Sequence, residues 1–545
     1  MGAGILILIL STFFLIAYFI YGKKLEKIVN INKGNPTPSH TLNDGVDYVP
    51  TKREILLGHH FASIAGAGPI VGPVLAAQFG WLPAFLWILF GAIFIGGVHD
   101  FTTLIASVRH RGKSIGTIIE ETIGKRGKVL FLIFAISTLV LLISAFSIII
   151  AHTFVKYPQA ATASVIFIGI AMLFGFLNRN SKIPFFLLSL TSIILLLAGI
   201  HLGILFPIKL SVNTWMVILF IYIYIASVTP VWALLQPRDY LNSFLLYGIM
   251  ILGIIGILYL NPTLKYPAFS SYHQKIGDMF PILFITIACG AISGFHSLVS
   301  SGTTSKQLDS EKDSKLIGYG GMLIEGVLAL IALITATYLS KGSYFKLLGP
   351  NGNDAIGVFS NGLGFFMSKL GIPLESAVIF SALAISAFAL TTLDTSSRLC
   401  RFAFQELFED TKNKKVEKFI VKNRYIATFI MLLIAGIMAS GKEVLKIWPM
   451  FGSANQLLAA ISLLAVVLWL IKKKRTFLFA LIPMLFMFLI TISSLLNIGI
   501  LNLESLNSQD KMTVIIRIAV TLFLLFVAFS LIFLSFSAIK REKKS

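Results

Sequence analysis

Seven ionisable side chains sit inside long apolar runs: His59, His60, His99, Asp100, His296, Glu325 and Asp394. A charge in hydrocarbon is costly, so each is a functional candidate by default. Histidine exchanges protons near neutral pH. His60 and Ser63 are three apart and share a helix face that leads to Gly66. His99 and Asp100 are neighbours. They read as a structural hydrogen bond, a proton relay or a pair of metal ligands. With His59 they are the residues that could hold a metal, but no spaced ligand motif accompanies them. Asp394 shares a face with Thr391, Thr395 and Arg398. It reads as the partner of Arg398 or Arg401, closing a gate, or as a coupling carboxylate. Glu325 has no evident local partner.

A second pattern is a stripe of small polar residues. Cys289, Ser293, His296, Ser300 and Thr303 recur at steps of four and three, which predicts one face of one helix. Ser301, Thr304 and Ser305 widen its far end. One hydroxyl would bond back to its own helix. Several, together with a histidine, suit a wet pathway.

A third pattern concerns the backbone. Residues 58–78 read GHHFASIAGAGPIVGPVLAAQ. Pro69 and Pro73 lack an N–H and leave the carbonyls of Ala65 and Pro69 without their helical partner. Gly66, Gly68 and Gly72 make local unwinding cheap. A break is predicted near 66–73. Non-helical backbone at membrane depth is tolerated in protein or beside a wet cavity. Residues 224–240, YIASVTPVWALLQPRDY, repeat Ile-Ala and Pro-Ile/Val at a constant offset and predict a second break at 227–231. A rival pairing matches His60 and Gly66 with His296 and Gly302.

These residues need elements to position them, and the composition says which. The chain has 545 residues, 56% hydrophobic and only 13% charged, which excludes a soluble globular domain and a disordered chain. Fifteen runs are long and apolar enough to span a bilayer, among them 55–79, 213–236, 279–304 and 374–396. The fold class is therefore an all-α polytopic membrane protein with about 15 transmembrane helices. Lys and Arg number 45 against 24 Asp and Glu. Most fall on alternate loops, which predicts the N-terminus outside and the C-terminus inside. That alternation also removes a nucleic-acid role. Cys289 and Cys400 provide no disulfide framework. No P-loop is visible, so an ATP-driven pump is not expected. The expectation is a transporter, not an enzyme, with no cofactor beyond a coupling cation (H⁺ or Na⁺). Loop 340–373 holds a stretch from Ala355 to Leu370, too short to span. A channel or a membrane-embedded metalloenzyme is the alternative class.

Five blocks carry a resemblance: HHFASIAGAGPIVGP (59–73), FIGGVHDF (94–101), GFHSLVSSGTTSKQL (294–308), TTLDTSSRLCRFAFQEL (391–407) and WPMFGSANQLLAA (448–460). They resemble the carbon starvation protein CstA family. The resemblance implies a secondary transporter in the inner membrane of a prokaryotic cell, importing small peptides during starvation. Its alternative is a proton-coupled pyruvate symporter. It also implies a LeuT-like 5+5 inverted repeat: residues 1–54 an added helix and loop, 55–206 the first repeat, 213–396 the second and 397–545 added helices. The substrate would meet His60, Ser63, Gly66, Ala67, Gly68, Pro69, Ser227, Thr229, Pro230 and His296. Na⁺ would take the carbonyls of Ala65 and Gly68 with Ser300, Ser301, Thr303 or Thr304. A proton would instead use His60, His296, His99, Asp100 or Asp394.

Overall fold

Backbone groups in hydrocarbon must bond within their own segment, and the chain answers with helices. The computed structural model describes residues 1–545 apart from 33, 275, 350–353, 410–412, 441–447, 505–510 and 543–545. The principal helices are α1 (Ala3–Val29), α2 (Arg53–Ile64), α3 (Gly68–Phe79), α4 (Trp81–Arg109), α5 (Lys125–Lys156), α6 (Pro158–Asn180), α7 (Phe185–Leu205), α8 (Val212–Val228) and α9 (Leu235–Leu260). They continue as α10 (Met279–Thr286), α11 (Gly294–Gly302), α12 (Glu311–Thr337), α13 (Ala355–Ser368), α14 (Leu374–Leu407), α15 (Arg424–Ser440), α16 (Met450–Lys472), α17 (Leu478–Glu504) and α18 (Lys511–Glu542). A small antiparallel hairpin, β1 (His273–Gln274) with β2 (Gly277–Asp278), precedes α10.

Among the described residues, eleven helices are long and apolar enough to cross a membrane, or twelve if the bent pair α2–α3 is one span. Of the remaining expected runs, α8 and α15 are helices of 17 residues. Run 279–304 is interrupted, as described below. The central helices are the buried ones. The most apolar windows of α12, α14 and α16 are 89%, 83% and 94% buried, against 33% for α7 and α18. Helix α16 therefore belongs to the core, although it lies in the part expected to be additional. In loop 340–373, residues 350–353 lie outside the described residues. Helix α13 follows them, its first turn capped by Asp354 Oδ1 accepting from the Gly357 N–H at 3.0 Å, and packs against α12 and α14.

The first break forms where expected. α2 and α3 meet at 45°, and the residues between them are Ala65, Gly66 and Ala67. Pro69 sits in the first turn of α3, where its missing N–H is not needed. The Thr392 hydroxyl of α14 donates to the freed Ser63 carbonyl at 3.1 Å.

At the second expected break, 227–231, the chain does leave the helix, but between two long helices and not within one. α8 stops at Val228, residues 229–234 turn the chain, and α9 runs uninterrupted to Leu260. Pro230 ends a helix here, as a proline without an N–H readily does. Arg238 donates to the Tyr222 hydroxyl across the turn. A second discontinuity within a run lies in 279–304, where α10 and α11 are separated by 287–293. Cys289 and Ser293 are in that separation, so the polar stripe is not one helix face. His60 precedes its break and His296 follows its own, so the rival pairing does not match equivalent places either.

This second opening contains no proline and survives through side chains from elsewhere. Trp87 Nε1 of α4 donates to the Ile287 carbonyl at 3.1 Å. Asn455 Oδ1 of α16 accepts from the Phe295 N–H at 2.8 Å, and Asn455 Nδ2 donates to Ser293 Oγ at 3.0 Å. The N–H at a helix start has no partner within its own helix, so Asn455 supplies one. Asn455→Ala leaves that buried N–H unpaired and is expected to cost about 1–3 kcal/mol. Thermal unfolding in detergent should show a lower Tm; an unchanged Tm would mean that the break does not depend on Asn455.

Candidate functional site

Two buried networks of ionisable groups flank the breaks. The first joins four helices through Arg238. Its Nη2 donates to Asp239 Oδ1 at 2.7 Å, and its Nη1 donates to Asp394 Oδ2. The Tyr222 hydroxyl, which accepts from Arg238, donates to the same Asp394 oxygen at 2.6 Å. The other oxygen of Asp239 meets His59 Nδ1 at 2.7 Å. Gln307 Nε2 lies 3.3 Å from His59 Nε2, and Gln236 Nε2 donates to Gln307 Oε1 at 2.7 Å. His59, Arg238, Asp239 and Asp394 are all buried. A carboxylate accepts, so the hydrogen on His59 points to Asp239 and its Nε2 accepts from Gln307.

The charge balance follows. One guanidinium stands against two carboxyl groups, so the cluster holds one more acidic group than basic. A proton on His59 would balance the excess.

The second network lies between α4, α11 and α12. Asp100 accepts through both oxygens, from His99 Nδ1 at 2.7 Å and from His296 Nδ1 at 2.9 Å. Glu325, which had no local partner in the sequence, faces His296: Oε2 is 3.4 Å from Nε2. His60 sits to one side, its Nδ1 2.9 Å from Thr304 Oγ1.

The breaks themselves pack closely. A Cβ on Gly66 would stand 2.6 Å from Thr392 Oγ1, and one on Gly68 would stand 2.4 Å from Cys289 Sγ. These positions need glycine because side chains of α14 and of segment 287–293 fill the space. Ser63 Oγ and Thr395 Oγ1 are 3.1 Å apart. Ala65, Ala67 and Pro69 are buried beside them.

Other sequence candidates go elsewhere. Ser301 and Thr303 donate to carbonyls of their own helix, those of Ser297 at 2.7 Å and Val299 at 3.0 Å. Thr304 is engaged by His60. Of the four hydroxyls proposed for Na⁺, Ser300 alone is buried without a partner. Ser227 approaches Thr428 of α15 at 3.4 Å, and the Thr229 hydroxyl donates to the Ile225 carbonyl at 2.7 Å. With Pro230 they stand at the turn after α8, where the Arg398 guanidinium binds the Ala226 and Thr229 carbonyls. Arg398 is paired with Asp47 at 2.9 Å and Asp394 with Arg238, which corrects the expected Asp394–Arg398 or Asp394–Arg401 pair.

A cavity of about 280 Å³ opens beside this region, lined among others by Ser301, Gly302, Lys306, Phe402 and Glu406. Lys306 Nζ lies 3.8 Å above the Phe402 ring. Burial pushes its ammonium down to about 8, although Asp47 acts in the opposite direction.

The residues missed by the sequence reading are Asp239, Tyr222, Gln307 and Asn455. In the sequence Arg238 is one of 45 Lys and Arg whose placement reads as orientation. Each depends on contacts between distant segments, and only Asn455 and Gln307 fell inside a recognisable block.

Comparison with known proteins agrees with the membrane architecture. A family model described as Carbon starvation protein CstA matches residues 2–355 and 350–494. The chain belongs to this family. The peptide transporter CstA of Bacillus subtilis is 33% identical over 526 residues, covering 87% of this chain and 86% of that protein. The pyruvate/proton symporter BtsT of Escherichia coli is 32% identical over 557 residues, covering 85% and 76%. Among solved structures, a manganese transporter of Eremococcus coleocola aligns with a TM-score of 0.48 at 12% identity, over 91% of this chain and 99% of that one. The CstA relatives are named as transporters, and this chain is an integral membrane transporter, not an enzyme.

The shared arginine is the feature most exposed to test. Arg238→Gln leaves two buried carboxylates uncompensated, with an expected cost of about 3–5 kcal/mol. Adding Asp394→Asn removes one of them and should restore part of the loss. Melting curves of the single and double variants decide it: equal Tm values for both would contradict the shared role.

Proposed function

We propose that this transporter imports short peptides by alternating access, driven by an inward proton gradient, with one proton carried on the His59–Asp239 pair. The observation behind this reading is the excess of one acidic group around Arg238. The cluster joins α2, α8, α9 and α14. A change in the protonation of His59 therefore alters the attraction between helices, not only within one. Protonation would turn Nε2 from acceptor to donor, and a flip of the Gln307 amide would meet it.

Na⁺ coupling has less support. Three of the four hydroxyls it would use are bonded to their own helix or to His60.

For the substrate, α3 begins at the first break with Pro69 in its first turn. The positive end of that helix dipole favours a carboxylate, which every peptide carries at one end. His60, Ser63 and the backbone of 65–68 lie beside it. The cavity holding Lys306 would lead an anionic group onward from Ser301. A second reading, pyruvate–proton symport, is favoured by the symporter relative and by the same carboxylate chemistry. In both readings the basic face is cytoplasmic, the membrane is a prokaryotic inner membrane, and the core is a 5+5 inverted repeat.

Proteoliposomes given labelled di- and tripeptides or pyruvate, under separately imposed H⁺ and Na⁺ gradients, test this. Peptide should accumulate under an inward H⁺ gradient and not under Na⁺ alone. Accumulation of pyruvate instead selects the second reading. Accumulation under Na⁺ alone rejects the proton, and conductance without accumulation indicates a channel.

A further inference from the structure

We propose that Cys289, His296 and Glu325 form a binding site for one divalent transition-metal ion of the zinc class, between the second break and α12. One ligand atom from each lies within 4.8 Å of the other two. The three come from segment 287–293, α11 and α12, so the chain brings them together from separate elements. His296 and Glu325 are fully buried, while Cys289 is partly open and provides a way in.

The ring orientation of His296 is an independent indication. Its Nδ1 is 2.9 Å from Asp100 Oδ2, and a carboxylate accepts, so Nδ1 carries the hydrogen. Nε2 faces Glu325 Oε2 at 3.4 Å without a hydrogen bond. His296 Nε2 and both Glu325 oxygens are buried with no hydrogen-bond partner. Buried polar atoms are expensive to leave without a partner. A cation bound among them, in place of a ring proton, removes that penalty.

The donor set selects the cation. Thiolate, imidazole and carboxylate are ligands that zinc accepts together. Magnesium, calcium and sodium favour oxygen alone, so this site differs from the Na⁺ site considered above. A doubly charged ion also balances the Cys289 thiolate and the Glu325 carboxylate, leaving no net charge on the three ligands and ion. Asp100 behind His296, itself held by His99 at 2.7 Å, is the carboxylate–histidine arrangement that fixes the tautomer of a metal-binding imidazole. His99 and Asp100 thus support a ligand instead of being ligands themselves. Three protein ligands leave a fourth position free. Gly68 keeps this region close to the first break, because a Cβ there would stand 2.4 Å from Cys289 Sγ. The site does not rest on the proton-coupling reading, which uses a different histidine.

The purified full-length chain, stripped with chelator and dialysed against zinc, should retain about one ion per molecule by elemental analysis. Cys289→Ser and His296→Gln should lose it, and Asp100→Asn should weaken binding about 10- to 100-fold. Cobalt(II) in place of zinc should show a near-ultraviolet thiolate-to-metal charge-transfer band that Cys289→Ser abolishes. If a buried variant fails to fold, this spectrum of the wild type and Cys289→Ser still decides. Zinc retention that is unaffected by Cys289→Ser, no retention by the wild type, or cobalt binding without the thiolate band would overturn the proposal. Elemental analysis and the spectrum need no transport, so failure here is distinct from failure of the transport reading.

Discussion

Everything near the centre of this molecule depends on how Arg238 is neutralised. A guanidinium buried among helices would be prohibitively costly alone. Asp239 and Asp394 neutralise it from α9 and α14, and Tyr222 adds a hydroxyl from α8. Two carboxyl groups to one guanidinium leave one acidic group in excess, and His59 of α2 stands where a proton would balance it. One such imbalance thus couples a titratable group to four helices. Such a group can bias the packing of those helices when it gains or loses a proton, which alternating access requires.

The two breaks pose the same problem for backbone groups that Arg238 poses for charge. Hydrocarbon provides no hydrogen bonds, so each opening must import its partners. Thr392 serves the first opening, and Trp87 and Asn455 serve the second. The openings touch through Gly68 and Cys289. Polar chemistry is therefore gathered into one region, and the surrounding apolar helices need only be long enough.

Much of this was legible in the sequence because it is local. Apolar runs identify helices without knowledge of their neighbours, and Gly66, Gly68 and Pro69 announce the first break within a few residues. The opening at 287–293 was missed for a physical reason. Residues 287–293 carry Gly290 but no proline, and their opening is sustained by Asn455 and Trp87, far away in the chain. Pro230 gave a stronger local signal and marks only a helix end. The charge network was hidden in the same way: Arg238 looks like a topology residue until Asp394 is beside it, and Glu325 looks isolated until His296 faces it. Asp100 was legible as a hydrogen-bonding carboxylate, but the His296 that it orients was not legible as its partner.

The central claim is that the proton is carried on His59 with Asp239. The most direct measurement is substrate-driven proton uptake, read with a pH dye trapped inside proteoliposomes. Substrate counterflow in the same vesicles reports whether the protein remains competent. The account predicts internal acidification on substrate addition for the wild type and none for His59→Gln, in vesicles where counterflow persists. Acidification of wild-type size in His59→Gln would contradict it.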